Sequence, residues 1–244
     1  MFIINIGFTL TRSNSSLFVL RRSNDVTYLL LYVDDIVLTG SSTTLLQQIV
    51  ERLRREFVVK DLVELSFFLR IDVKRDATGF LRHGPLHFYL SQQRYTEDIL
   101  ERAGMANCKP ATTPIDTKGK LSADDNTKVD DVKSYRSLAG ALQYLMVTRA
   151  FAVQQAYLHM HDLCGLHQAL LKRILRYVLG TTHLGLHLRA SAELSVTAYS
   201  DADWAGCPDT RQSTSGFYVF LGDSLVLWSS MRQLIVSRSG AEAE

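Results

Sequence analysis

The sequence is short of cysteine, of proline and of any long apolar run. Its 244 residues hold three cysteines, Cys108, Cys164 and Cys207, scattered and odd in number. No pair has metal-ligand spacing, so free thiols in a reducing compartment are expected rather than a disulfide framework or a cysteine zinc site. The longest apolar stretch, VTYLLLYV, is far too short to cross a bilayer. The opening MFIINIGFTL carries no basic leader and no small-residue cleavage site, which makes it a poor signal peptide. These absences point to an intracellular chain, cytoplasmic or nuclear, that makes no membrane contact. An excess of one charge is lacking too. Lys and Arg number 27 against 25 Asp and Glu, so bulk charge by itself identifies no nucleic-acid partner. No internal repeat or low-complexity tract is evident.

What is present has a globular balance. Hydrophobic residues make up 46% and charged residues 21%, enough to build one large domain or two modest ones. LFVLRR (17–22) and residues 26–40 read as two strands joined by the polar SND, a hairpin pattern. Ser41 and Ser42 can cap a helix in which Leu45, Leu46, Ile49, Val50, Leu53 and Phe57 repeat at helical spacing. Arg52, Arg54 and Arg55 fall mostly on its other faces. LSFFLRIDVKR predicts a strand, and RYTEDILERAGM a short helix opened by Thr96 and closed near Gly104. Residues 106–133 are polar, hold two of the four prolines and lack apolar periodicity, so they read as a linker. Helices follow at YRSLAGALQYLM and LHQALLKRILRYVLG. The latter turns Leu166, Leu170, Leu171, Ile174, Leu175 and Val178 inward, with Gly180 as its stop. After Gly185, LSVTAYSDADW, GFYVFLG and LVLWSS are three strand-like runs, the last two joined by the hairpin turn GDS. One apolar face of these three strands is expected to be left uncovered.

One stretch breaks its own pattern. In LLLYVDDIVLTG, residues 29–40, two adjacent carboxylates interrupt the most hydrophobic segment of the chain. Paired carboxylates at a turn suit a hard divalent cation, which prefers oxygen ligands and offsets their repulsion. A bare Asp-Asp is more often a solvated turn without metal. The apolar flanks shift the balance, because two buried strands would make a rigid platform for a metal site. Seven histidines invite a zinc reading. In YLHMHD, however, His159 and His161 are two apart, which on a helix points them to different faces. Trp204 and Trp228 fall in strand-like runs and read as packing residues before any base-stacking role.

LLLYVDDIVLTG resembles the Tyr-X-Asp-Asp hairpin in the palm of reverse transcriptases, specifically those of copia-type retrotransposons. IGFTLTRSNSSLFV, KDLVELSFFLRIDV, LSQQRYTEDILERAGM, YRSLAGALQYL and RILRYVLGT resemble the neighbouring segments of those polyproteins, in order. YSDADWAGCPDTRQSTSGFYVFLGD and WSSMRQLIVSRSGAEAE resemble the opening of the attached ribonuclease H domain. The resemblance implies an α+β fold: a partial palm hairpin and helical thumb and connection, then the first three antiparallel strands of a ribonuclease-H-like sheet. It divides the chain into palm and thumb (1–105), linker (106–133), helical connection (134–185) and ribonuclease-H-like part (186–244). It further implies that Asp34 and Asp35 help bind catalytic Mg2+ or Mn2+, with Tyr32 and Val33 beneath the primer end. Asp201 would be the first metal-binding carboxylate of the nuclease and Glu244 the second, with Glu242 as runner-up. Asp203 shares a strand face with Asp201 and reads as a solvated strand-end residue. The implied partners are an RNA template and a DNA primer, contacted by Lys172, Arg173 and Arg176 on one helix face. No small-molecule cofactor is implied, and no oligomeric state.

The family's two-metal phosphoryl transfer draws a third palm carboxylate from an earlier strand. Only 33 residues precede Asp34, and Asp25 is the sole acid among them. Two ligands from one turn do not fix two metals in line. The isolated chain is therefore expected to be inactive, or to be a non-catalytic retroelement remnant that at most binds nucleic acid weakly. Other departures from the family pattern accompany this. Val63 and Arg70 stand where glycine is usual, TRAFAVQQ skips the expected Pro-Asp-Ile, and HDLCGLH lacks the expected prolines. Met231 replaces a usual lysine. At a position of positive φ, loss of glycine would cost strain.

Overall fold

Alternating apolar residues between Leu17 and Leu38 build a sheet with one covered face. The computed structural model describes residues 2–58, 64–76, 87–115, 131–145, 151–161, 163–190, 194–207 and 210–243. The chain divides into two units between Phe68 and Leu69. In the first, α1 (Phe2–Asn5) is followed by β1 (Thr9–Leu10), β2 (Leu17–Arg22), β3 (Asp25–Tyr32) and β4 (Asp35–Gly40). These strands are antiparallel neighbours in that order. Leu29 stands opposite Phe18 on one side and Leu38 on the other, so the side-chain period of two gathers Phe18, Leu20, Leu29 and Leu38 on one face.

The helix α2 (Thr43–Glu56) supplies Leu45, Ile49 and Leu53 to the same core, and α1 adds Ile3. Leu29 and Leu53 are fully buried. Ser42 opens α2 by accepting the Leu45 N–H at 3.3 Å, the cap expected from the sequence. Arg54 and Arg55 lie in its last turn, where cations suit the helix dipole. Phe57 does not face inward. It caps the helix, is 45% exposed and meets Phe2 edge-on at 5.4 Å. Gly40 ends β4 against β3, where a Cβ would come within 2.8 Å of Thr27 Oγ1 and 2.9 Å of Val26 O. The unit ends with β5 (Phe67–Phe68).

The second unit begins with a turn rather than the uninterrupted strand expected across LSFFLRIDVKR. Leu69 and Arg70 both have positive φ, 49° and 65°. Two successive left-handed residues suit Asn-Gly, and here both carry a Cβ, so the strain anticipated at Arg70 is present. Val63, the other position noted for a missing glycine, lies outside the described residues. β7 (His87–Ser91) pairs antiparallel with β6 (Ile71–Asp76) and with the distant β8 (Gly185–Arg189). α3 (Gln93–Arg102) starts three residues before Thr96, which is buried one turn inside it. It closes at Gly104, φ 64°, with Met105 N–H donating back to Leu100 O at 2.8 Å, a Schellman ending.

α4 (Val132–Leu142), α5 (Phe151–Leu158) and α6 (Gly165–Gly180) pack with α3 around Ile99, Leu100, Leu142, Ala156, Ile174 and Leu175. In α6 Leu170, Leu171, Ile174, Leu175 and Val178 turn inward as the periodicity indicates, whereas Leu166 is 45% exposed in the first turn and His167, which the apolar pattern did not mark, is buried. Thr181 rather than Gly180 caps the helix. Of the expected linker, residues 106–115 and 131–133 are described. Ala111 N–H donates to Arg176 O at 3.1 Å, which holds its first residues along α6, while 116–130 lie outside the described residues.

β9 (Val196–Asp203), β10 (Thr214–Leu221) and β11 (Ser224–Arg232) form an antiparallel sheet with β10 central, followed by α7 (Gly240–Ala243). Gly222, φ 55°, and Asp223 make the hairpin turn read from GDS. Tyr199 and Tyr218 face each other across one surface at 61% and 53% exposure. Leu227 and Met231, of opposite register, are 54% and 62% exposed on the other. Both faces therefore carry exposed apolar side chains, where one was expected to, although α5 packs on β11 and α7 on β9.

Candidate metal-binding hairpin

The two carboxylates sit where a two-residue turn joins β3 to β4. Tyr32 pairs with Asp35, leaving Val33 and Asp34 as the turn. Such short loops need backbone twist that left-handed residues provide, and Val33 provides it at φ 51° despite its branched Cβ. That conformation costs a β-branched residue about 1–2 kcal/mol, so the surrounding hairpin must over-determine it. Val33 is 89% exposed and both aspartates are exposed. The strands beside them are half-buried near the turn and fully buried only further down, at Thr27 and Leu29. Tyr32 is braced edge-on by Phe68, ring centroids 6.4 Å apart. That contact spans 36 positions, and no local periodicity announces it.

As ligands, Asp34 and Asp35 suit a hard divalent ion in kind but fall short in number. Asp25 is not the missing partner. Its Oδ1 accepts the Ser41 hydroxyl at 3.0 Å at the far end of β3, more than about 20 Å along the strand from the turn. Among the described residues no group of three His, Cys, Asp or Glu is placed to hold a metal.

In the second unit Asp201 lies on β9 opposite Gly216, exposed, and Asp203 ends the same strand opposite Thr214. The Asp203 carboxylate lies against Gly206, in space that a Cβ there would need. Glu242 is occupied as a helix cap. Its Oε2 accepts the Arg238 N–H at 2.6 Å while Ser239 Oγ accepts the Glu242 N–H at 3.2 Å. Glu244 lies outside the described residues.

The three basic residues of α6 are not equivalent. Lys172 is exposed, Arg173 donates to Thr113 Oγ1 at 2.9 Å, and Arg176 Nε donates to Lys109 O at 2.7 Å. His159 and His161 fall just past the end of α5, not on a helix as the spacing argument assumed. His159 stacks on the buried His167 at 4.0 Å, and His167 Nδ1 accepts the Cys164 N–H at 3.1 Å. Trp204 is 47% exposed, and its Nε1 donates to Ser237 O at 3.0 Å.

Residues 1–117 match the family model described as reverse transcriptase (RNA-dependent DNA polymerase). Over its whole length the chain is 44% identical to the retrovirus-related Pol polyprotein from transposon RE1 of Arabidopsis thaliana. It is 42% identical to that from transposon RE2 of the same plant. An uncharacterized mitochondrial protein of Arabidopsis thaliana is 46% identical over 89% of the chain and 88% of its own length. The chain belongs to the copia-type retrotransposon polyproteins. It spans 16% of the length of each of the two Pol polyproteins. No solved structure matches it. The Asp34–Asp35 hairpin falls inside the span matched by the reverse transcriptase model, whereas Asp201 falls beyond it. Among the described residues no helix is long and apolar enough to cross a membrane.

Proposed function

We propose that the chain is the part of an RNA-directed DNA polymerase that carries the Asp34–Asp35 pair, running on into the opening of a ribonuclease H domain. The observation that supports this is the Tyr32–Val33–Asp34–Asp35 turn, two exposed carboxylates at the tip of a hairpin that a helix covers on one face. In this reading Mg2+ or Mn2+ would bind Asp34 and Asp35 and would supply the charge that activates a primer hydroxyl and offsets the leaving phosphate. Tyr32 and Val33 would lie beneath a DNA primer paired to an RNA template, with Lys172 as the α6 cation best exposed to a phosphate backbone. Asp201 and Glu244 would be nuclease ligands.

In this reading the isolated chain is expected to extend no primer, since among the described residues no third carboxylate joins the pair. The same shortfall favours a second reading, a non-catalytic remnant that binds primer–template weakly and salt-dependently. Primer extension on an RNA template with Mg2+ tests both, with the Asp34→Asn, Asp35→Asn double variant as control. No product above the control is expected. Product from the unaltered chain alone would overturn the inactivity and require a third ligand. Anisotropy of a labelled primer–template at low salt separates the readings further, and no binding at all would remove both roles from the isolated chain.

A further inference from the structure

We draw no further inference here: the strongest candidate, the apolar surface on both faces of the β9–β10–β11 sheet, carries nothing because nothing in the structure shows what covers it.

Discussion

The sheet of β1–β4 and the sheet of β9–β11 are both built from consecutive antiparallel strands rich in aromatic and branched residues, yet among the described residues only the first is backed by a buried apolar cluster. Leu29, at the centre of the first, has no exposed surface, because α2 lays Leu45, Ile49 and Leu53 across it. Tyr218, at the centre of the second, is 53% exposed. The strand pattern is comparable in each, so the pattern creates only the demand for burial. A helix within reach along the chain satisfies that demand in one case. The difference extends to the acids. Asp34 and Asp35 stand at the tip of a braced hairpin, and Asp201 stands on an edge strand with little packed against it. A metal site needs ligands whose positions are already held, which favours the first pair.

The largest contrast should come from deleting apolar volume. Leu29→Ala should cost about 3 kcal/mol through lost transfer energy and a residual cavity, whereas Leu227→Ala, already half exposed, should cost less than about 1 kcal/mol. Urea unfolding would check this, read by far-UV circular dichroism. Both tryptophans, Trp204 and Trp228, lie in the second unit, so their fluorescence reports that unit alone. Equal costs would mean that the second sheet is covered in solution.

A smaller contrast separates two glycines. Gly40→Ala forces a methyl group against Thr27 and the Val26 carbonyl, an overpacking that should cost about 1–3 kcal/mol. At Gly216 the nearest atom to an added Cβ is Ser229 O at 3.5 Å, an ordinary contact. Gly216→Ala should therefore shift the urea midpoint little. Smaller again is the effect at the hairpin tip. Val33→Gly releases a left-handed branched residue and should stabilise the first unit by about 0.5–1 kcal/mol, after the entropy that glycine adds to the unfolded chain. A loss of stability would show that the turn is held by contacts of the valine side chain.

The last effect is nil at neutral pH and appears only in alkali. Burial pushes the Tyr135 hydroxyl well above the usual tyrosine range, with Cys164 adding to the shift, and burial raises Tyr95 as well. Their hydroxyls donate to Ala156 O at 2.8 Å and Ala141 O at 3.0 Å. A group whose folded-state pKa is raised contributes stability that is complete below its unfolded value, here about 10, and lost as pH rises beyond it. Tryptophan-monitored melting should thus be flat from pH 7 to 9 and fall above pH 10. Tyr135→Phe should lessen that fall, and an unchanged alkaline slope in the variant would remove Tyr135 as its cause.

Much of this was legible in residues close together in sequence. The turn at Asp34 and Asp35, the cap at Ser42, the inward stripe of α6 and the Gly222–Asp223 hairpin all follow from short-range periodicity and turn chemistry. Other features depend on partners far away in the chain. Thr96 is a plausible helix cap on local grounds, but the helix begins earlier and packs Thr96 inside. Arg173 and Arg176 read as a row of like cations on one helix face, and the sequence gives no sign that Thr113 and Lys109, 60 and 67 positions away, accept their N–H groups. The pairing of β7 with β8 joins residues nearly a hundred positions apart, and no local signal encodes it. By itself the sequence determined the family, the hairpin and the amphipathic helices, because those rest on side-chain order along the backbone. Only the tertiary structure decided which sheet is covered, which arginines are engaged and that Asp25 stands far from Asp34 and Asp35, because those depend on which surfaces meet.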